Sequence, residues 1–300
     1  MINRIDIIIS TRNRVNDLLY TVEIMKKNGF SEAQFYIIDD GSTDHTDILL
    51  PAKFPNVNFL RNEQAKGYIG NRNKLMSWSS RDFVLSLDDD SHIRSKEDIM
   101  DAIYVLESDS SYGIFGYHAF EQLEEPPIRT SLPDTIRKVR SYIGCGHIIK
   151  REVIRKLGAY REEFEFYCEE LDYSLRAFQH GYFVVTNDQL VVHHRIDWIL
   201  RQKQKVHEQA TGVYGAIWRS TLGFSNHLII RGLYYPYGWD IIYSVLYTIK
   251  RFYNFALLKN DYQGFFLGLK RWGNFIKFIR KNKSKLTYSS FKEWIKMPVC

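Results

Sequence analysis

The stretch LSLDDDSHI, residues 85–93, decides how this chain is read. Its apolar start extends back through Phe83 and Val84, so FVLSL predicts a strand buried on both faces. Asp88, Asp89 and Asp90 follow at once, and Ser95 with Asp98 three places on reads as the capping box of a helix. Three carboxylates therefore stand at the carboxyl end of a buried strand, the edge at which open α/β sheets hold their ligands. An isolated Asp triplet is most often a solvated turn. Polar clusters at other strand ends shift this one toward a divalent cation.

Upstream, apolar runs alternate with helical patterns. IDIII at 5–9 leads to a helix near 16–28 closed by Gly29. FYIID at 35–39 and VNFL at 57–60 are strands, with helical segments near 42–50 and 69–80. Downstream come a helix at 95–107, the strand YGIFGY at 112–117, then GHIIK, the short helix REVIRKLG, a helix near 168–180 and strands near 182–186 and 190–194. This βαβ rhythm implies a mostly parallel sheet flanked by helices. Residues 121–141 carry three of the seven prolines and many charges, and read as a mobile connection.

ISTRNR at 9–14 and YIIDDGSTD at 36–44 are polar strand ends of the same kind. Ser42, Thr43 and Asp44 are good helix N-caps, a purely structural role. Side by side, the two ends form a crevice in which Ser10, Arg12 and Asp40 meet a nucleotide base and ribose, the carboxylate accepting from a pyrimidine's imide N–H. Arg72, in GNRNK, is either a solvated helix arginine or a charge-assisted contact to a diphosphate. In CEELDYSLRAFQHGY, 168–182, Leu171, Leu175 and Phe178 fall at helical spacing, which leaves Glu169, Glu170 and Asp172 near the first turn. The helix dipole favours acids there, and Asp172 with Arg176 is an i,i+4 pair. Such a carboxylate can equally take a proton from an attacking hydroxyl. In LVVHH, His193 and His194 point to opposite faces of a strand, so one imidazole can complete an oxygen-rich cation site. Carboxylates, imidazole and diphosphate together suit Mn²⁺ or Mg²⁺.

The 300 residues carry a formal charge of +6 that hides an asymmetry. Residues 201–300 hold 17 Lys and Arg against 4 Asp and Glu, and 21 aromatics, whereas residues 1–200 are net acidic. Two regions follow, 1–200 catalytic and 201–300 a helical extension. YQGFFLGLKRWGNFIKFIRKNKSK at 262–285 interleaves aromatics with basic residues, as helices lying on an anionic membrane do. The alternative uses of that stretch are packing on the catalytic region, self-association into a homo-oligomer, and nucleic-acid binding, for which no motif is present. Cys145, Cys168 and Cys300 lack metal-ligand spacing and are too few for a disulfide framework, which favours a reducing compartment. MINRIDIIIS lacks a signal peptide's long apolar stretch and reads straight into a core strand, and no run approaches the ~18 apolar residues of a spanning helix. The expected location is cytoplasmic, peripheral on the inner face of the cell membrane.

In order, ISTRNR, DDGSTDHT, NRNK, LSLDDDS, GCGHIIKREV, CEELDYSLR and VVHH resemble the family 2 glycosyltransferases over residues 4–195. The resemblance implies a GT-A fold, Rossmann-like with a mostly parallel mixed sheet, and inverting transfer of a hexosyl or deoxyhexosyl group from a UDP- or dTDP-sugar, assisted by Mn²⁺ or Mg²⁺. Carried over, it makes Asp40 the base-binding acid, with Ser10 and Arg12 beside it and Arg72 on the nucleotide. Asp88 and Asp90 match the DXD pair, Asp88 near ribose and sugar and Asp90 on the metal with His193, for which His194 is the rival. Gly144, Gly146, Asp89 and Asp172 fall to the sugar and acceptor pocket. The family's base is the Asp of a Glu-Asp pair, and that position here is Glu170, with Glu169 as the alternative. With the basic, aromatic tail added, the expected acceptor is a lipid-linked glycan of capsule, O-antigen or cell-wall polysaccharide synthesis. Two other classes compete: a sugar-phosphate nucleotidylyltransferase, which should show a Gly-rich loop where ISTRNR stands, and a non-catalytic nucleotide-sugar or nucleic-acid binding module.

Overall fold

Residues 5–9 place isoleucine at four of five positions, and Ile5, Ile7, Ile8 and Ile9 are all buried. A strand apolar on both faces needs cover on both sides, which puts it inside a sheet. In the computed structural model, which describes residues 2–122, 124, 126, 135–195, 216–257 and 261–299, this strand, β1 (Ile5–Thr11), lies between two parallel neighbours, β2 (Phe35–Asp39) and β4 (Phe83–Asp88). β3 (Asn58–Arg61) adds a parallel strand beyond β2. On the other side the sheet becomes mixed. β9 (Gly146–Lys150) runs antiparallel to both β4 and β6 (Tyr112–Gly116), β10 (Phe183–Thr186) is parallel to β6, and β8 (Arg137–Val139) is antiparallel to β10. The order is β3-β2-β1-β4-β9-β6-β10-β8.

Six helices join these strands: α1 (Val15–Lys27), α2 (Thr46–Lys53), α3 (Tyr68–Trp78), α4 (Lys96–Ser108), α5 (Arg151–Leu157) and α6 (Glu169–Gln179). Leu18, Val22 and Met25 of α1 and Ile99, Ile103 and Leu106 of α4 close over the sheet. Gly29, at φ +90°, ends the α1 region as its spacing predicts, and Ser95 Oγ accepts from Asp98 N–H at 3.1 Å as the cap of α4. The helix expected from residue 42 begins instead at Thr46, after His45 in the left-handed region (φ 64°). Asp44 serves the starts of two helices: its Oδ2 accepts from Val15 N–H at 2.8 Å at the start of α1, and its Oδ1 accepts from Thr46 N–H at 3.3 Å at the start of α2. A second sheet of three strands, β5 (Ser91–Ile93), β11 (Val191–His194) and β7 (His118–Phe120), stands directly after the acid triplet. Of the connection 121–141, residues 123, 125 and 127–134 lie outside the described residues, and Arg137–Val139 is β8 rather than loop.

The chain divides into two compact units. The described residues of Met1–Glu162, Tyr173–Ile196 and Pro298–Cys300 form one, and those of Glu163–Asp172 and Asp197–Met297 the other. The second is helical: α7 (Ala216–Tyr234), α8 (Trp239–Arg251), which continues as a π-helical turn over Phe252–Leu257, α9 (Tyr262–Asn274), α10 (Ile276–Asn282) and α11 (Tyr288–Lys296). Phe224 and Leu228 of α7 pack on Phe265 of α9, with Tyr247, Leu269 and Trp272 around them. Gly268 permits this approach, because a Cβ there would meet the Phe224 ring at 2.7 Å. Residues 201–215 lie outside the described residues. Among the described residues, no helix is long and apolar enough to cross a membrane.

Candidate active site at the strand ends

The parallel register brings the polar ends of β1, β2 and β4 to one edge of the sheet: Ser10 lies beside Ile38 on one side and Asp88 on the other, and Thr11 beside Asp39. The loops that follow are laced together. Asn13 N–H donates to Ser42 Oγ at 2.8 Å, and Thr43 N–H donates to Asn13 Oδ1 at 2.7 Å. Asn13 itself is left-handed (φ 55°), a conformation that asparagine tolerates better than most residues. Asp40 sits beneath this crevice and accepts from Asn62 Nδ2 and Lys66 N–H at 2.8 Å and from Gly67 N–H at 3.0 Å. Burial pushes the Asp40 carboxyl up, but these donors and Asn71 outweigh it and hold the group below the usual carboxylate range. Arg12 is exposed at the rim. Arg72 is not a solvated helix arginine: it is buried, donates through Nη2 to Gly144 O at 3.0 Å, stands 3.4 Å from Asp88 Oδ1, and lies over the Tyr68 ring at 4.1 Å.

Of the acid triplet, Asp89 and Asp90 are buried and Asp88 is partly exposed. Asp89 Oδ2 accepts from Thr11 Oγ1 at 2.8 Å. Arg14 spans both buried acids, with Nη1 3.1 Å from Asp89 Oδ1 and Nη2 2.6 Å from Asp90 Oδ2. His194 Nε2 lies 3.3 Å from Asp90 Oδ1. Burial raises the pKa of Asp89, and the Arg14 charge only partly opposes it. At Asp90 burial also acts upward, but His194 and Arg14 prevail and hold that carboxyl well below the ordinary range, so a charged acid is kept in a buried place.

The family resemblance places His193 on the metal with His194 as its rival, and in the structure it is His194 that meets the acids. β11 pairs antiparallel with β5 in a register that sets His194 opposite Ser91, the residue after Asp90. Alternation then turns His193 the other way: its ring lies 4.9 Å from that of His92, and its Nε2 meets Gln122 O at 2.9 Å. Ligand atoms of Asp88, Asp90 and His194 lie within 4.8 Å of one another. Two carboxylates and one imidazole in that space are a donor set that fits Mn²⁺ or Mg²⁺, and fits thiophilic metals poorly.

Gly146 starts β9 where a Cβ would meet Val192 at 2.7 Å, so its glycine is required by the small sheet packing on the large one. Glu169, Glu170 and Asp172 belong to the second unit. Glu169 is buried and Glu170 partly exposed, both in the first turn of α6. Asp172 is fully buried and its Oδ1 accepts from Tyr234 Oη at 2.6 Å, while Arg176 donates to the carbonyls of Leu157 and Ala159 at 2.8 Å each. Two residues escaped the sequence reading. Arg14 lies at the end of ISTRNR, and two buried acids that need a cation are the signal for it. Arg195 follows the His pair, donating to His92 Nδ1 and Thr21 Oγ1 at 2.6 Å each, while its own N–H reaches Asp90 O at 3.0 Å. No local pattern marks it.

A mostly parallel mixed sheet with a crevice at its central strand ends and an acid pair closing β4 is the architecture of the GT-A glycosyltransferases. The chain belongs to glycosyl transferase family 2, whose model matches residues 6–158. Among solved structures, TarS 1–349 of S. aureus in complex with UDP-GlcNAc is similar at 14% identity and a TM-score of 0.59, over 94% of this chain and 82% of that one. The mannosyltransferase PcManGT from Pyrobaculum calidifontis, in complex with GDP-Man and Mn²⁺, is similar at 10% identity and 0.54, over 97% and 78%. A further TarS 1–349 structure aligns at 16% identity and 0.51 over 64% of this chain, which spans 60% of that one. At these identities the likeness is one of fold. No curated protein matches the chain.

Proposed function

We propose that this protein transfers a sugar, with inversion, from a UDP- or dTDP-sugar to a hydroxyl of a glycan acceptor held at the inner membrane face by a lipid anchor. The observation that carries this reading is the grouping of Asp88, Asp90 and His194 at the end of β4, beside the crevice lined by Ser10 and Asp40. Asp40 accepts from the imide of the base, Ser10 faces the ribose, and Arg72 contributes its charge to the diphosphate. Asp88, Asp90 and His194 would hold Mn²⁺ or Mg²⁺, which when bound would supply positive charge to the diphosphate. Arg14 keeps Asp89 and Asp90 from repelling each other. Glu170, with Glu169 as the alternative, takes the acceptor proton as its oxygen bonds to the anomeric carbon and the bond to the diphosphate oxygen breaks. Similar folds that hold UDP-GlcNAc, or GDP-Man with Mn²⁺, support a nucleotide-sugar donor and a divalent cation.

Membrane contact is supported by α8. Ile241, Val245, Leu246 and Ile249 form one stripe along it and are 66%, 52%, 58% and 61% exposed, with Lys250 and Arg251 at its end. The stretch 262–285 favoured by the sequence buries Phe265 and Gly268 and is the lesser candidate. The deciding experiment incubates a panel of UDP-, dTDP- and GDP-sugars with the protein, Mn²⁺ and a lipid-linked acceptor. Proton NMR then reads the anomeric configuration of the product. Transfer from a pyrimidine sugar with inverted configuration is expected, and retention, or no transfer from any donor, would sink the reading.

A further inference from the structure

Just ahead of α6, three residues in four hold backbone angles that side chains resist. Glu165, Tyr167 and Cys168 have φ of 61°, 68° and 67°, and none of them is Gly, Asn or Asp. Left-handed residues with a β-carbon persist only where surrounding groups over-determine them, and they concentrate at functional sites. The groups that do so here are specific. Asn226 of α7, fully buried, donates its side-chain amide to the carbonyl oxygens of Phe164, Phe166 and Tyr167, each at 2.8 Å. Two N–H groups serve three acceptors, so one bond is shared. Arg271 of α9 orients that amide: its Nη1 donates to Asn226 Oδ1 at 2.6 Å and to Ser225 Oγ at 2.9 Å. Its Nη2 reaches the loop directly, donating to Glu163 O at 2.7 Å and Glu165 Oε1 at 3.1 Å. One turn into α6, the Tyr234 hydroxyl holds Asp172. Every one of these residues lies in the helical unit.

We infer that Asn226, supported by Arg271 and Tyr234, is a positioning residue for the acceptor base: it holds residues 163–168 in a strained path whose last step delivers Glu169 and Glu170. Asn226 and Arg271 lie outside residues 6–158, the part matched by the family model. A loop needing only to join α5 to α6 would relax into an extended path. Holding three carbonyls against one buried amide instead fixes where the next two carboxylates emerge, which matters for a group that must meet an acceptor hydroxyl at hydrogen-bond distance. The inference rests on the reading of Glu170 or Glu169 as the base.

The test is Asn226→Asp in the full-length chain, which keeps the side chain's size but replaces the donor by an acceptor facing three carbonyls. Turnover should fall on the order of a hundredfold, the scale of a misplaced catalytic group. Donor KM and Mn²⁺ affinity should stay within about twofold, because a transition-state contact is lost and ground-state binding is not. Amide hydrogen exchange over 163–172 should quicken. Adding Cys168→Gly should restore turnover at least about fivefold, since glycine adopts positive φ without steric cost. Turnover within about twofold of wild type would overturn the inference. So would a joint loss of turnover, donor binding, Mn²⁺ affinity and Tm that glycine does not relieve, which is what a merely structural asparagine predicts. If Asn226→Asp does not fold, Tyr234→Phe, which deletes one hydroxyl, carries the same comparison. A wild-type protein inactive with every donor, combined with faster exchange in the variant, would sink the base reading and leave the clamp standing.

Discussion

Asp90 divides its carboxylate between two partners, the Arg14 guanidinium at 2.6 Å and the His194 imidazole at 3.3 Å, and this decides what its loss should do. Asp90→Asn keeps the shape and removes the charge, so Mn²⁺-dependent binding of UDP should weaken by more than about tenfold in titration calorimetry. His194→Ala should weaken Mn²⁺ by about tenfold to a hundredfold, whereas His193→Ala, whose ring packs on His92, should change it by less than about threefold. Equal effects of the two histidine variants would remove His194 from the cation site. The sequence could place the two imidazoles on opposite faces, because strand period alone requires that. It could not say which face meets the acids, because the pairing of His194 with Ser91 settles that and no local pattern encodes it. If Glu170 is the base as proposed, Glu170→Gln should cut turnover by roughly a hundredfold with donor KM nearly unchanged, and Glu169→Gln should cost less. Steady-state kinetics with both variants reads the order, and the reverse order would exchange their roles.

At the scale of elements, α8 is the helix whose exposed face the two-part charge pattern did not single out. Aromatics and lysines are dense at 262–285, yet α9 turns Phe265 and Gly268 inward against α7, while α8 has no buried residue at all. Which face of an amphipathic helix is covered depends on its neighbours, and composition carries no information about them. Replacing Ile241, Val245 and Ile249 by Gln should therefore remove the salt-resistant part of co-sedimentation with phosphatidylglycerol vesicles, and the attraction left should vanish as ionic strength rises. Unchanged salt-resistant binding in that variant would move the contact elsewhere. Substitution is the cleaner probe, because deleting residues 262–300 would also take away Arg271 and Phe265, which hold α7 and the 163–168 loop.

For the whole molecule, the division into two units means that unfolding need not be a single transition. A nucleotide bound with its cation in the first unit stabilises that unit by mass action, roughly 2.7 kcal/mol at a hundredfold excess over Kd. UDP with Mn²⁺ should raise the calorimetric transition of that unit by about 5–10 °C and leave any second transition in place. EDTA should abolish the rise, and a shift that survives chelation would argue against a metal-assisted diphosphate site.

The sequence by itself determined the alternation of buried strands and helices, since a strand covered on both faces must be apolar throughout. It also determined that Asp40, Asp88 and Ser10 share one edge, since parallel strands all end on the same side. The tertiary structure alone decided the antiparallel insertion of β9, the antiparallel edge strand β8, the choice of His194, the bridging of Asp89 and Asp90 by Arg14, the bond from Thr11 to Asp89, and the hold of Asn226 on the approach to α6. These rest on register and on contacts between residues as far apart as Thr11 and Asp89, or Arg271 and Glu163. Hydrophobic period reports only which side of an element is buried, and the identity of the group on the far side of that contact enters only when the chain has folded.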